Sequence, residues 1–246
     1  PRLISRSIPF SISSSAPAMG TRFWRFSTLI ICNILKITRF LVLISVLTGT
    51  GASYAGTQKL LVLGDSISAA YGMSLDQGWV ALLARQLADS HPDFSVVNAS
   101  VSGETTSGAL ARLPQLLRQE EPNIVLIELG GNDGLRGYPI GLLRDNLKQL
   151  VALSQASGAQ IILVQMEIPP NYGARYAGAF HASYPLIAEQ TGTVLAPFIL
   201  AGVGTKSELM QADGIHPTVF GHELMAREWI KQVSTQLPFL KKYEME

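Results

Sequence analysis

From Lys59 onward the chain repeats one pattern: a short, continuously apolar run, a polar cluster, and then a longer stretch of helical period. The apolar runs fall at residues 60–63, 95–98, 124–129, 160–165 and 194–196. They do not alternate apolar with polar, so each predicts a strand covered on both faces, the condition of a parallel sheet. The stretches between them predict helices over 79–89, 108–119, 140–157 and 177–191. A last helix follows Pro217, whose missing N–H suits a first helical position. Strands and helices in strict alternation, joined by right-handed crossovers, give an α/β fold: a three-layer α/β/α sandwich with about five parallel strands. No linker or shift in composition divides this region, so residues 56–246 are expected to form one domain. In such sheets ligands bind beyond the carboxyl ends of the strands. The polar clusters lie there, at 64–66, 98–106, 130–133 and 167–172.

Charge sets the first 55 residues apart from this repeat. The whole chain of 246 residues carries +1, but Arg2, Arg6, Arg22, Arg25, Lys36 and Arg39 stand in a segment that has no acid. The remainder holds 13 bases and 18 acids, a net of −5, so the basic balance does not indicate nucleic acid as a partner. The cationic segment runs into the apolar stretch 40–47 and then into small residues ending Ser53-Tyr54-Ala55. That order predicts an export signal cleaved after Ala55 and a periplasmic or secreted product. Eight apolar residues fall short of the roughly 20 that span a bilayer, so no stable membrane insertion is expected once the signal is gone. Met19 is an alternative translation start. Cys32 is the single cysteine and would leave with the signal, so the mature chain would form no disulfide.

Four histidines limit the choice of general base. His91 precedes Pro92 and reads as a loop residue, while His181 and His222 fall on predicted helices, where surface placement is the ordinary case. His216 differs, because Asp213 stands three residues before it and can accept from its second ring nitrogen. The same Asp-x-x-His string also reads as an Asx turn ahead of the last helix. Ser66 follows the first strand at a turn where its hydroxyl can be presented, although Gly64-Asp65-Ser66-Ile67-Ser68 would serve equally as a capped helix start. Position 68 is serine rather than glycine and the acid is local to the histidine, so the Gly-x-Ser-x-Gly elbow of α/β-hydrolases is disfavoured. Gly103 can offer a backbone N–H and Asn132 a side-chain amide to a developing oxyanion, while Gly130-Gly131-Asn132-Asp133 also has the composition of a tight turn. No His, Cys and carboxylate cluster suggests a metal site.

Taken in order, Gly64-Asp65-Ser66-Ile67, Gly103, Gly130-Gly131-Asn132-Asp133 and Asp213-x-x-His216 resemble the blocks of the SGNH (GDSL) hydrolases, with Ile67 where the family name has leucine. The similarity runs from about Lys59 to Leu237. It is nearest the bacterial multifunctional thioesterase/protease/lysophospholipase branch and the related arylesterases, through Val97-Asn98-Ala99-Ser100, Leu126 to Gly137 and Pro170-Asn171-Tyr172-Gly173. The resemblance implies a flavodoxin-like sheet and a catalytic set of Ser66 as nucleophile, His216 as base and Asp213 as its orienting acid. It implies an oxyanion hole made by the N–H groups of Ser66 and Gly103 with the Asn132 amide, and no cofactor. Asp65 and Asp133 read as structural. An acyl groove is expected beside 134–139 and 168–172, with Leu135, Tyr138, Ile168 and Tyr172 as apolar contacts. The implied activity is hydrolysis of small-molecule carboxylic esters and thioesters by a monomer. The alternatives are a carbohydrate acetyl esterase of the same superfamily and a non-catalytic binding protein on this scaffold.

Overall fold

The computed structural model describes residues 57–233; the expected signal segment and its cleavage point after Ala55 lie outside them. Five strands, β1 (Gln58–Gly64), β2 (Phe94–Asn98), β3 (Ile124–Glu128), β4 (Gln160–Val164) and β5 (Val194–Ala196), form one parallel sheet in the order β2-β1-β3-β4-β5. The three inner strands are nearly all buried. The edge strands β2 and β5 are only partly covered, so two-sided burial holds for the centre of the sheet alone.

Because side chains alternate across a strand, each continuous apolar run supplies two cores at once. Leu60, Val62, Ile124, Leu126, Ile162 and Val164 face one layer, made by α1 (Trp79–Ser90) and a C-terminal helix over Val219–Val233. Leu61, Leu63, Val125, Ile127, Ile161 and Leu163 face the other, made by α2 (Thr106–Glu120), α4 (Ile140–Ala156), α5 (Ala174–His181) and α6 (Ser183–Thr191). Between β3 and α4 lies a short helix, α3 (Gly131–Leu135), and the C-terminal helix is α7. Each helix turns a 3.6-period stripe inward, as with Ala109, Leu113 and Leu117 of α2.

Three local departures from the sequence expectation have identifiable causes. The single helix expected over 177–191 is broken at Ala182. Pro185 has no N–H for the carbonyl of His181, four residues earlier, and that carbonyl accepts from Gln165 Nε2 at 3.1 Å instead. Pro217 does not open the last helix. It pairs with Met210 in an antiparallel bridge, and Thr218 precedes the helix, its Oγ1 accepting from Gly221 N at 3.2 Å. The turn expected at 130–133 is the start of α3, entered through Gly130 at φ +110°.

This strand order reverses direction between β1 and β3, since β1 leads outward to β2 and the chain then crosses back to β3. The switch point leaves a crevice at the carboxyl ends of these two strands. Ser66 follows β1 and Asn132 follows β3, so both stand at its rim.

Candidate active site

Ser66 does not lead directly into a helix. It opens a single helical turn, in which Ala69 N bonds Asp65 O at 2.9 Å and Tyr71 N bonds Ser66 O at 3.1 Å, and α1 begins only at Trp79. The Asp65 carboxylate caps this turn through Oδ1, which accepts from Ile67 N at 3.1 Å. Its Oδ2 accepts from Asn132 Nδ2 at 3.2 Å. One hydrogen of the Asn132 amide is thereby committed to Asp65, which fixes the amide orientation and leaves the second hydrogen for a ligand. Asp65 is 3% exposed, and burial pushes its carboxyl up to about 6, against the opposing pull of the Ile67 N–H, the His216 charge and the Asn132 amide.

His216 arrives from the segment ahead of α7. Its Nε2 stands 2.8 Å from Ser66 Oγ and its Nδ1 2.7 Å from Asp213 Oδ2. The other oxygen of Asp213 accepts from the N–H groups of Ile215 at 2.9 Å and His216 at 3.0 Å, so the Asx turn and the acid–histidine pair are the same object. These contacts, led by the His216 backbone N–H, hold Asp213 down at about 2. An ionised carboxylate can only accept, which places a proton on Nδ1 and leaves the Nε2 lone pair toward Ser66 Oγ. An imidazole so oriented can take the serine proton. The Tyr71 ring lies against the His216 ring at 4.3 Å between centroids.

Gly103 has φ +78°, and a Cβ there would meet only Arg136 Nη2, at 3.7 Å. Its backbone conformation, rather than crowding, calls for glycine. The Arg136 guanidinium also donates to Gly103 O at 3.1 Å. Asp133 is buried and takes no part in the crevice; it receives Thr106 N at 2.9 Å and Thr106 Oγ1 at 2.6 Å, seating the start of α2.

Ser66, Gly103, Asn132 and His216 line one cleft of about 780 Å³. Leu135 and Ile168 line it too, but Tyr138 and Tyr172 do not. Tyr172 spends its hydroxyl on Leu135 O at 3.0 Å, and the Tyr138 carbonyl receives Tyr176 OH at 2.6 Å, so both tyrosines serve the join between the two loops. The lining also includes Met166, just past β4, and Phe198, Leu200, Gly204, Thr205 and Met210, which sequence reasoning missed because their place depends on where the chain turns after β5. His222 was expected on the surface and is buried. Its Nδ1 accepts from Trp79 N at 3.1 Å, and burial, with the His216 charge second, lowers it to about 4. Among the described residues no group of three or more His, Cys, Asp or Glu is placed to hold a metal ion, and no helix is long and apolar enough to cross a membrane.

Comparison with known proteins identifies the family. The model of the GDSL-like lipase/acylhydrolase family matches residues 62–224. Esterase TesA of Pseudomonas aeruginosa is 54% identical over 165 residues, covering 67% of this chain and 82% of that protein. Thioesterase 1/protease 1/lysophospholipase L1 of Escherichia coli K12 is 44% identical over 179 residues, covering 73% of this chain and 85% of that protein. The crystal structure of the psychrotrophic esterase EstA from Pseudoalteromonas sp., inhibited by monoethylphosphonate, superposes with a TM-score of 0.70 at 44% identity, covering 74% of this chain and 99% of that one.

Proposed function

Since the chain belongs to the GDSL-like lipase/acylhydrolase family and is a serine hydrolase of ester bonds, we propose that Ser66, His216 and Asp213 carry its reaction as a two-step acyl transfer. Ser66 Oγ attacks the substrate carbonyl while its proton passes to His216 Nε2, and Asp213 holds the resulting imidazolium. The N–H groups of Ser66 and Gly103 and the free hydrogen of the Asn132 amide receive the oxyanion. His216 then gives the proton to the departing alcohol or thiol, and water, activated by the same histidine, releases the acid and restores Ser66. The observation that carries this reading is the unbroken series of hydrogen bonds Asp213–His216–Ser66, at 2.7 and 2.8 Å, ending in a cleft.

The substrates we assign are carboxylic esters with an apolar acyl chain, together with acyl thioesters and lysophospholipids of the kind that the name of the Escherichia coli relative records. Support comes from the cleft walls, where Leu135, Met166, Ile168, Phe198 and Leu200 offer an apolar bed next to the serine. We also infer that the enzyme works outside the cytoplasm, on the strength of the cationic, apolar and small-residue order of residues 1–55.

A p-nitrophenyl ester series of increasing chain length tests the reading. Wild type is expected to prefer medium chains over acetate, Ser66→Ala to lose several orders of magnitude, and Asn132→Ala to lose about 10²–10³-fold as one oxyanion donor. Equal activity of wild type and Ser66→Ala would show that the nucleophile is another group. A preference for acetylated sugars would point instead to a carbohydrate acetyl esterase.

A further inference from the structure

Behind the nucleophile turn lies a buried carboxyl that the two-step reaction does not use. Glu128 ends β3 in register with Gly64, the last residue of β1, and has no exposed surface. Its Oε2 accepts from two donors that bracket Ser66 in the chain: the backbone N–H of Asp65 at 3.3 Å and the hydroxyl of Ser68 at 2.6 Å. Ser68 is itself held from two further sides, its Oγ accepting from Trp79 Nε1 at 3.1 Å and its carbonyl from Asn98 Nδ2 at 2.8 Å. There is no slack in this nest. A Cβ on Gly64 would lie 2.6 Å from Ser68 Oγ and 2.7 Å from Glu128 Oε2, so the glycine is what lets carboxyl, hydroxyl and strand end meet.

Oε1 of Glu128 has no hydrogen-bonding partner among the described residues. Burial first, and the neighbouring Asp65 charge second, push the carboxyl well above the usual range, which favours its neutral form. An apolar side chain of similar size would fill the same space without the cost of desolvating a polar group. What Glu128 supplies beyond volume is therefore one acceptor oxygen shared by the two ends of the turn.

We propose that Glu128 is a positioning residue for the nucleophile: by gathering the Asp65 N–H and the Ser68 hydroxyl on one oxygen, it sets the depth at which Ser66 Oγ meets His216 Nε2. The inference rests on the reading of Ser66 as nucleophile. Without the shared acceptor the turn can move outward, and a shift of about 1 Å at a reacting atom is enough to lower turnover on the order of 10²-fold. The cleft walls are untouched, so substrate binding should change little.

The test compares wild type with Glu128→Leu, Glu128→Gln, Ser68→Ala and Ser66→Ala on a short, soluble p-nitrophenyl ester and on the rate of inactivation by a fluorophosphonate, with circular dichroism to establish folding. Folded Glu128→Leu is expected to lose about 10²-fold in kcat and a similar factor in inactivation rate, with KM within about 3-fold of wild type. Glu128→Gln keeps an acceptor oxygen in the same place and should restore kcat to within about 3-fold of wild type, a rescue that loss of packing alone would not give. Ser68→Ala removes one of the two bonds and is expected to lose about 10-fold in kcat, and it decides the matter if Glu128→Leu does not fold. A folded Glu128→Leu or a Ser68→Ala with wild-type kcat, a loss carried by KM, or a Glu128→Gln as impaired as Glu128→Leu would overturn the proposal. Ser66→Ala separates the two levels. If it is as active as wild type the nucleophile assignment falls, whereas an inert Ser66→Ala beside a fully active Glu128→Leu removes only the role of Glu128.

Discussion

The carboxyl of Asp65 makes the stability of this fold depend on pH in an unusual direction. Burial raises it from 3.8 to about 6, so in the interval between those values the folded chain holds a proton that the unfolded chain has released. Stability changes with pH as the difference in protons bound, unfolded minus folded, which here is negative. The contribution of Asp65 is therefore greatest below about pH 4, declines as pH rises through 6 and is constant above that. A displacement of about 2 pH units at 1.36 kcal/mol each amounts to about 3 kcal/mol. For a domain of this size that corresponds to roughly 6–12 °C in Tm, at about 2–4 °C per kcal/mol. Asp65→Asn removes the titration. The amide can accept from Ile67 N or from Asn132 Nδ2 but not from both, and that loss is the same at every pH. The quantity to measure is thus the difference in Tm between Asp65→Asn and wild type, followed by thermal unfolding from pH 4 to 8 at fixed ionic strength. It should move in favour of the variant by about 5–10 °C between pH 4 and 7, since about 2.4 of the 3 kcal/mol falls in that interval, with most of the change below pH 6.5. A difference that stays constant across the range would refute the assignment of a buried, proton-holding carboxyl at Asp65.

Two further outcomes can be checked directly. Gly130→Ala places a side chain where φ is +110° and drives its Cβ into the Tyr184 hydroxyl, which bonds Leu129 O at 2.8 Å. Backbone strain and the lost bond together should destabilise the fold by about 3 kcal/mol, read as a lower urea midpoint with an unchanged m value. Export predicts that protein recovered from a secreting host has an intact mass beginning at Gly56, and a secreted product that retains residues 40–47 would count against it.

The fold was legible wherever a run was both apolar and short. Residues 60–63 and 124–127 announce strands because nothing polar interrupts them, and the same runs hide which side chain faces which layer until the neighbouring helices are placed. Glu128 is the one ionisable residue inside an expected strand, a signal that was available and that composition averages erase. His222 was legible too: it is spaced three, four and seven residues from Met225, Ala226 and Trp229, all buried on α7, so its spacing placed it on the inner face. Pro185 likewise announced the break at Ala182. The cleft wall at Phe198 and Leu200 was not available in this way, because segments without periodicity are positioned by what they meet in space. Tyr138 and Tyr172 misled for a related reason. The Tyr172 hydroxyl turns to the Leu135 carbonyl, and Tyr138 engages through its own carbonyl, which accepts from Tyr176 OH.

The local and distant parts of the site are fixed by different means. Asp213 and His216 share one turn, so their 2.7 Å contact is set by three residues of backbone and two N–H bonds to the same carboxylate. The contact from His216 to Ser66 joins residues 150 apart, and no local rule can set it. Gln211 bridges that gap. Its backbone N–H bonds the His216 carbonyl at 2.7 Å, while its side-chain amide reaches Pro217 O at 2.9 Å and Tyr71 O at 2.8 Å. Tyr71 closes the helical turn that Ser66 opens, so a single glutamine fastens the histidine segment to the serine turn. The distance that matters for proton transfer is held by two anchors, the half-buried Gln211 and the fully buried Glu128. The sheet's part is to bring the ends of β1 and β3 close enough for both to act.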